Sequence, residues 1–128
     1  MSKYSEKSFL RSFGYAIKGF KVAIKSQRNF VRQIIVACLA VIAGSLLNFD
    51  ILEYCILTVL IAMVLMAEMF NSVIEFTIDS VVKNKFSKLA GMAKDMSAAA
   101  VCIASFTAVI VGGIMFIHKI LPLIQRGL

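Results

Sequence analysis

The sequence predicts an all-α membrane protein, built from one N-terminal amphipathic surface helix and three transmembrane helices. Hydrophobic residues make up 60% of the 128 residues and charged residues only 16%, whereas soluble domains contain about 45–50% apolar and about 25% charged residues. A soluble chain of this length has too little interior to bury so much apolar surface. The apolar residues also gather in three stretches, each close to the roughly 20 residues that cross a bilayer core as a helix.

The first element is predicted to be an interfacial helix over residues 5–27. Its aromatic and aliphatic side chains recur every three or four residues, and its basic side chains cluster on the opposite face. This pattern is typical of a helix that lies in the membrane interface, and it also fits a helix packed on the protein's own core. The apolar set comprises Phe9, Phe13, Ile17, Phe20 and Ile24, and the basic set comprises Lys7, Arg11, Lys18, Lys21 and Lys25.

Three membrane helices are predicted to follow, over residues 30–49, 51–80 and 96–120. A very short turn joins the first two helices, and a basic connector over residues 81–93 leads to the third. This arrangement leaves no room for a further domain, so residues 1–128 are predicted to form a single domain. The N-terminal segment lacks an uninterrupted apolar core and a small-residue cleavage site, so we expect no cleaved signal peptide.

Basic residues alternate along the predicted spans. Residues 1–33 hold eight Lys and Arg, residues 48–54 hold none, and residues 83–94 hold four. Because Lys and Arg favour cytoplasmic segments, we expect the N-terminus and the connector to be cytoplasmic and the turn to lie outside. The net charge of +7 does not indicate nucleic acid, because the chain has no basic tail, zinc-finger spacing or aromatic-basic RNA motif.

One face of the second membrane helix carries five polar side chains, here called the polar stripe: Glu68, Asn71, Ser72, Glu75 and Asp79. They fall within about 100° of arc on a helical wheel, and the stripe is about 16 Å long. A carboxylate at the bilayer centre costs about 3 kcal/mol or more, so intramembrane acids are functional candidates by default. A polar packing seam or a hydrated helix end is the alternative interpretation.

The carboxylates and the amide of the polar stripe are suited to phosphoryl transfer. One carboxylate can hold Mg²⁺ together with substrate phosphates, and another can orient or deprotonate a hydroxyl group. Asn71 can donate to one neighbour and accept from another. Lys94 offers a compact positive charge for phosphate, and Asp95 beside it is either a second site residue or the N-cap of the third membrane helix. The pattern GxxxxGK[ST] does not occur, so a P-loop is excluded.

The segment AEMFNSVIEFTIDS, followed by AGMAKDMSAAAV, resembles the bacterial integral-membrane diacylglycerol kinases, which include the undecaprenol kinases. The resemblance extends upstream through GYAIKGFKVAIKSQRNF and covers most of the chain. It implies transfer of the γ-phosphoryl group of ATP to the hydroxyl group of a membrane lipid, with Mg²⁺ and without a P-loop. It also implies homotrimers in the bacterial inner (plasma) membrane, with active sites between subunits at the cytoplasmic boundary.

The resemblance assigns roles to individual residues by motif match. It implies that Glu68 is the catalytic base, that Asn71 supports the same site and that Glu75 is a metal ligand. The implied nucleotide-binding residues are Tyr15, Lys94 and Asp95, and the implied lipid-binding residues are Arg11, Lys18 and Ala98.

Gln27 departs from the family pattern. The family often carries a Glu at this place as a second metal ligand, whereas this chain reads SQRN. An amide oxygen can still ligate Mg²⁺, but it brings no negative charge. We therefore expect weaker Mg²⁺ binding, or greater reliance on the phosphates of ATP.

A lipid kinase is the leading function hypothesis. Diacylglycerol and undecaprenol both present a terminal hydroxyl group, and the C-terminal IVGGIMFIHKI and the absence of Trp resemble the Gram-positive branch, which favours undecaprenol. One alternative is a small ion-coupled transporter in which Glu68 is the proton-coupling carboxylate. Transporter sites lie near the midplane, whereas these acids crowd the cytoplasmic end. Another alternative is a catalytically inactive lipid-binding relative.

Overall fold

The computed structural model describes the backbone of residues 2–127 and the side-chain environments of residues 7–127. This part of the chain contains four helices and no strand: α1 (Ser2–Ser26), α2 (Arg28–Leu46), α3 (Ile51–Val82) and α4 (Lys88–Gly127). The last three are long and apolar enough to cross a membrane. The predicted fold class, one leading helix and three membrane helices, is confirmed. The homotrimer stays a prediction.

A one-residue joint at Gln27 separates α1 from α2. Its backbone is extended, with φ −118° and ψ 103°, and it ends the first helix just where the interfacial helix was predicted to end. Ala23 and Phe30, one on each side of the joint, are 6% and 1% exposed. The remaining apolar face of α1 is open, and Phe9 is 71% exposed. The alternative that α1 packs along the protein's own core is therefore wrong for most of its length.

A tight turn joins α2 to α3. Asn48 takes a positive φ of 59°, and the backbone N–H of Phe49 donates to the carbonyl of Gly44 at 3.0 Å. The Phe49 ring then folds over Gly44, where an added Cβ would lie 2.7 Å from the ring. The ring also packs on Phe116 of α4, with centroids 4.9 Å apart. The glycine therefore allows this turn to anchor three helices at one end of the bundle, here called the turn end.

A capping box starts α3. The Asp50 carboxylate accepts from the backbone N–H of Glu53 at 2.8 Å, and the Glu53 carboxylate accepts from the backbone N–H of Asp50 at 3.2 Å. These bonds satisfy donors that a helix start leaves free. The hydrogen bond from the Glu53 backbone lowers the pKa of Asp50 below its ordinary value. Glu53 also pairs with Lys119 of α4 at 2.7 Å, which ties the two longest helices together at the turn end.

The connector between α3 and α4 is shorter than the sequence predicted. Lys83 and Asn84 take positive φ values of 51° and 64°, and α4 begins at Lys88 after Ser87 accepts a hydrogen bond from the backbone N–H of Ala90. The predicted connector over 81–93 is wrong in these bounds, and the helix that contains the predicted span over 96–120 extends beyond it at both ends. Lys, Ala and Leu are good helix formers, so basic residues beyond the apolar stretch continue the helix.

The interior of the single chain lies between α3 and α4. Leu57, Leu60 and Val64 of α3 are buried, and Ala104 and Gly112 face them from α4. A Cβ on Gly112 would lie 3.9 Å from Leu60, so small residues on α4 permit a close approach. This seam sets the register between the two helices, and it leads directly into the polar stripe.

Candidate active site

The buried face of α3 changes from apolar to polar at Glu68. Val64, Glu68 and Ser72 follow one another at four-residue spacing, and each is 6–7% exposed. The acid therefore continues the seam that packs on α4. This face leads toward the connector, and we call that end of the bundle the connector end.

The Glu68 carboxylate is buried without being committed to a partner. Ser72 Oγ donates to the backbone carbonyl of Glu68 at 3.0 Å and does not engage its side chain. Among the described residues no side chain forms a hydrogen bond with this carboxylate. Every described side-chain polar atom that is fully buried does have a hydrogen-bond partner. The carboxylate oxygens therefore keep some access to their surroundings. An accessible carboxylate with free lone pairs is able to accept a proton from a bound hydroxyl group.

Asn71 connects α3 to α4 beside this acid. Its side-chain Nδ2 donates to Glu75 Oε1 at 3.2 Å. Its Oδ1 accepts from Ser97 Oγ of α4 at 2.6 Å. Ser97 is itself 7% exposed. The amide is therefore held from both sides, and one oxygen of Glu75 is oriented by it.

Glu68 and Glu75 occupy different levels of the same face of α3. Seven residues of helix correspond to about 10 Å. Carboxylates at two levels of one face are able to serve separate groups, one at a hydroxyl group and one at a cation or a phosphate. This division agrees with the roles that the resemblance implies for them.

Lys94 forms an ion pair across the helices with Asp79, with Nζ and Oδ1 2.6 Å apart. The two side chains are 40% and 64% exposed, so this contact is accessible from water. A cleft of about 620 Å³ adjoins the pair and is also lined by Lys83 and Lys85. Three lysines around one open cleft suit an anionic ligand. Asp95 is exposed inside α4, so its interpretation as the N-cap of that helix is wrong, and Ser87 takes that position.

The candidate residues of α1 and of the joint at Gln27, here called the α1 group, lie apart from the polar stripe. Tyr15 is 67% exposed, and Lys18 Nζ lies 5.7 Å from its ring centroid. Arg11 and Lys18 are exposed, and Gln27 is half-buried. Among the described residues, none of these side chains bonds to the polar stripe, because α1 packs mainly on α2. Ala98 is exposed on α4, one residue beyond Ser97.

The described residues do not gather three acidic, His or Cys side chains in one place. Mg²⁺ needs fewer, because it keeps several waters and takes substrate phosphates beside one or two carboxylates. Glu75 meets this need with a half-buried carboxylate that Asn71 orients. Gln27 has no side-chain hydrogen bond at the start of α2, so its amide oxygen is uncommitted. Each of these two groups therefore fits a single ligand of Mg²⁺ carried with a nucleotide.

Comparison with known proteins identifies the family. A family model described as prokaryotic diacylglycerol kinase matches residues 14–116. The chain belongs to the prokaryotic diacylglycerol kinase family. The resemblance noted in the sequence is thereby confirmed. The match includes every candidate site residue of this family member except Arg11, which precedes it.

Curated relatives of this diacylglycerol kinase family member carry two activity names. A diacylglycerol kinase of Synechocystis is 34% identical over 91% of this chain, which spans about two thirds (66%) of that protein. An undecaprenol kinase of Bacillus subtilis is 34% identical over 88% of this chain and 90% of that protein. A diacylglycerol kinase of Escherichia coli K12 is 33% identical over 79% of this chain and 82% of that protein.

Two features of the site were missed by sequence reasoning. Ser97 was not singled out, and Asp79 was not connected with Lys94. A helical wheel places Ser97 three residues after Lys94 and hence close to its face of α4. That signal was available in this kinase family member, but the partner on α3 depends on how the two helices pack.

Proposed function

We propose that this protein transfers the γ-phosphoryl group of ATP to the terminal hydroxyl group of a membrane lipid, with Mg²⁺. Its family and its relatives named diacylglycerol kinase and undecaprenol kinase support a lipid kinase. The observation that carries the mechanism is the uncommitted, 6% exposed carboxylate of Glu68 on the same helix face as Glu75. We take undecaprenol as the acceptor, on the resemblance of the C-terminal segment to the Gram-positive branch.

Glu68 acts as the general base in this proposal. The lipid hydroxyl group donates a hydrogen bond to the Glu68 carboxylate, which takes the proton as the lipid oxygen attacks the γ-phosphorus. A new oxygen–phosphorus bond forms, and the bond from the γ-phosphorus to the bridging oxygen breaks, so that ADP leaves with the electron pair. A base that is shielded from bulk water but open to the lipid hydroxyl group favours this proton transfer, because water does not compete for the carboxylate.

Glu75 and Gln27 would hold Mg²⁺ with the phosphates of the nucleotide. The cation supplies neutralisation of the charge that develops on the phosphoryl oxygens. Asn71 keeps Glu75 oriented through the 3.2 Å hydrogen bond. Lys94 leaves its exposed pair with Asp79 to bind phosphate, and Asp95 and Tyr15 contact the nucleotide.

We further propose that the active protein is a homotrimer in the bacterial plasma membrane. The α1 group, with Tyr15, Arg11, Lys18 and Gln27, would complete a site whose other half lies on α3 and α4 of a neighbouring copy. The separation of these two groups within one chain supports this arrangement. The excess of basic residues in α1 and the connector supports a cytoplasmic N-terminus and a cytoplasmic connector end.

Phosphate transfer from labelled ATP with Mg²⁺ tests the proposal. Purified protein in mixed micelles is given diacylglycerol and undecaprenol in parallel, with Glu68→Gln as the blank. We expect a labelled lipid whose formation needs Glu68, with undecaprenol the better acceptor. If the folded, oligomeric protein labels neither lipid, the lipid kinase hypothesis is refuted. The result would then favour the alternative of a catalytically inactive lipid-binding protein.

A further inference from the structure

We propose that Ser97 is a positioning residue of the site, which fixes the side-chain amide of Asn71 and, through it, the carboxylate of Glu75. The inference rests on the proposed function, because Glu75 matters as a ligand of the metal–nucleotide complex. It connects Ser97 of α4 to the pair that Asn71 and Glu75 form on α3. Its basis is a chain of two hydrogen bonds, at 2.6 Å from Ser97 to Asn71 and 3.2 Å from Asn71 to Glu75.

The direction of each bond follows from the chemistry of the groups. An ionised carboxylate only accepts hydrogen bonds, so the NH₂ end of the Asn71 amide must face Glu75. The oxygen end of the amide then faces Ser97, which must donate. A reversed amide would set an oxygen against the carboxylate and lose that bond, while its NH₂ group could donate only to the Ser97 oxygen. The hydroxyl group of Ser97 therefore completes the only orientation of Asn71 that satisfies all three groups.

Ser97 has one proton and two acceptors within reach. Asn71 Oδ1 lies 2.6 Å from its Oγ, and the backbone carbonyl of Lys94, three residues earlier in the same helix, lies at 3.0 Å. One proton serves one acceptor at a time, and the shorter distance favours Asn71. Ser97 is only 7% exposed, so water is poorly placed to replace it if the hydroxyl group is removed.

The bridge also joins the two halves of the site. Ser97 lies one helical turn from Lys94, and Asn71 lies one turn from both Glu68 and Glu75. A hydrogen bond between residues 26 positions apart in the chain therefore holds the phosphate-binding side of α4 in register with the acids of α3. Loss of this bond frees the amide of Asn71 and leaves Glu75 without a fixed donor.

Ser97→Ala tests this role, and Ser72→Ala is its matched control. Both serines are 7% exposed, and both substitutions remove one hydroxyl group. The Ser72 hydroxyl group bonds only to a backbone carbonyl of its own helix. The first readout is the ¹⁵N side-chain amide spectrum of the full protein in micelles. The chain has four asparagines, and the Asn71 signal is assigned by its absence in Asn71→Ala.

We expect Ser97→Ala to move the Asn71 amide signal and to speed its hydrogen exchange about fivefold, the effect of losing one hydrogen bond. The Mg²⁺ concentration for half-maximal rate should also rise about fivefold, with the KM for lipid unchanged. Ser72→Ala should change neither quantity. If the two hydroxyl groups had only a structural role, both variants would lose thermal stability. Neither variant would then change the Mg²⁺ requirement separately from the KM for lipid.

Two outcomes would overturn the inference. An Asn71 signal in Ser97→Ala that matches the signal in Ser72→Ala would show that the bridge does not hold the amide. A displaced signal with an unchanged Mg²⁺ requirement would show that the bridge does not reach Glu75. Failure of the unmodified protein to label either lipid refutes the proposed function instead, and the amide spectrum then decides the positioning of Asn71 by itself.

Discussion

Asp79 competes with nucleotide for Lys94 in the proposed site, so Asp79→Asn should tighten ATP binding. The pair is short, with Nζ and Oδ1 2.6 Å apart, yet its side chains are 40% and 64% exposed. Ion pairs at such exposure contribute about 0.2–1 kcal/mol, because water screens the charges and the side chains lose freedom. Lys94 must break this pair to bind phosphate. Removal of the pair by Asp79→Asn should therefore make ATP binding more favourable by at most about 1 kcal/mol. This corresponds to a dissociation constant for ATP that is about fivefold lower.

The assay is nucleotide binding to purified protein at low and at physiological ionic strength. The gain in ATP affinity should be smaller at about 0.15 M salt, where charges are screened over about 8 Å. Asp50→Asn is a matched control, because it removes the same charge at the turn end and Asn still caps a helix. It should leave ATP binding unchanged.

A double-mutant cycle separates release of Lys94 from simple loss of a negative charge. In a Lys94→Ala background, binding is expected to be weaker, and Asp79→Asn should add little to it. An equal gain in both backgrounds would mean that Asp79 acts by general repulsion of the phosphates. Weaker ATP binding in Asp79→Asn alone would refute the competition altogether and assign Asp79 to the nucleotide site.

Three further predictions concern catalysis, metal binding and the turn end. Glu68→Gln should abolish turnover and leave ATP binding intact, and substantial remaining turnover would reject Glu68 as the base. Gln27→Glu should lower the apparent Mg²⁺ requirement, and an unchanged Mg²⁺ titration would count against Gln27 as a ligand. Gly44→Ala should lower the free energy of unfolding by about 1–3 kcal/mol, because the new Cβ would lie 2.7 Å from the Phe49 ring. Thermal unfolding in detergent measures this change. Gly19→Ala is the control, because its Cβ meets nothing within 4 Å.

Helix boundaries show where sequence patterns stop being informative. The break at Gln27 and the turn before Asp50 were predicted within a few residues, because an amphipathic pattern gives way to an apolar stretch after the first and an apolar stretch ends at the second. The start of α4 at Lys88 was not, because a basic helical turn beyond the membrane has the same composition as a basic loop. Ser87 caps that helix, and a single serine among lysines is a weak signal by itself.

In the candidate site, too, the sequence predicted some features and left others open. The polar stripe was predicted as one face of a helix, because residues three and four apart must share a face. Its exposure was not predicted: Glu68 and Ser72 are buried, whereas Asp79 is exposed. Which acid is buried depends on which part of α3 the neighbouring helix covers.

The sequence by itself determined the number of membrane helices, the polar face of α3 and the family, since hydropathy, helical periodicity and motifs are local along the chain. Only the tertiary structure decided the partners across helices: Ser97 with Asn71, Lys94 with Asp79. These contacts join residues 26 and 15 positions apart, and they depend on the register between α3 and α4. Packing at small residues such as Gly112 sets that register, and no local pattern encodes it.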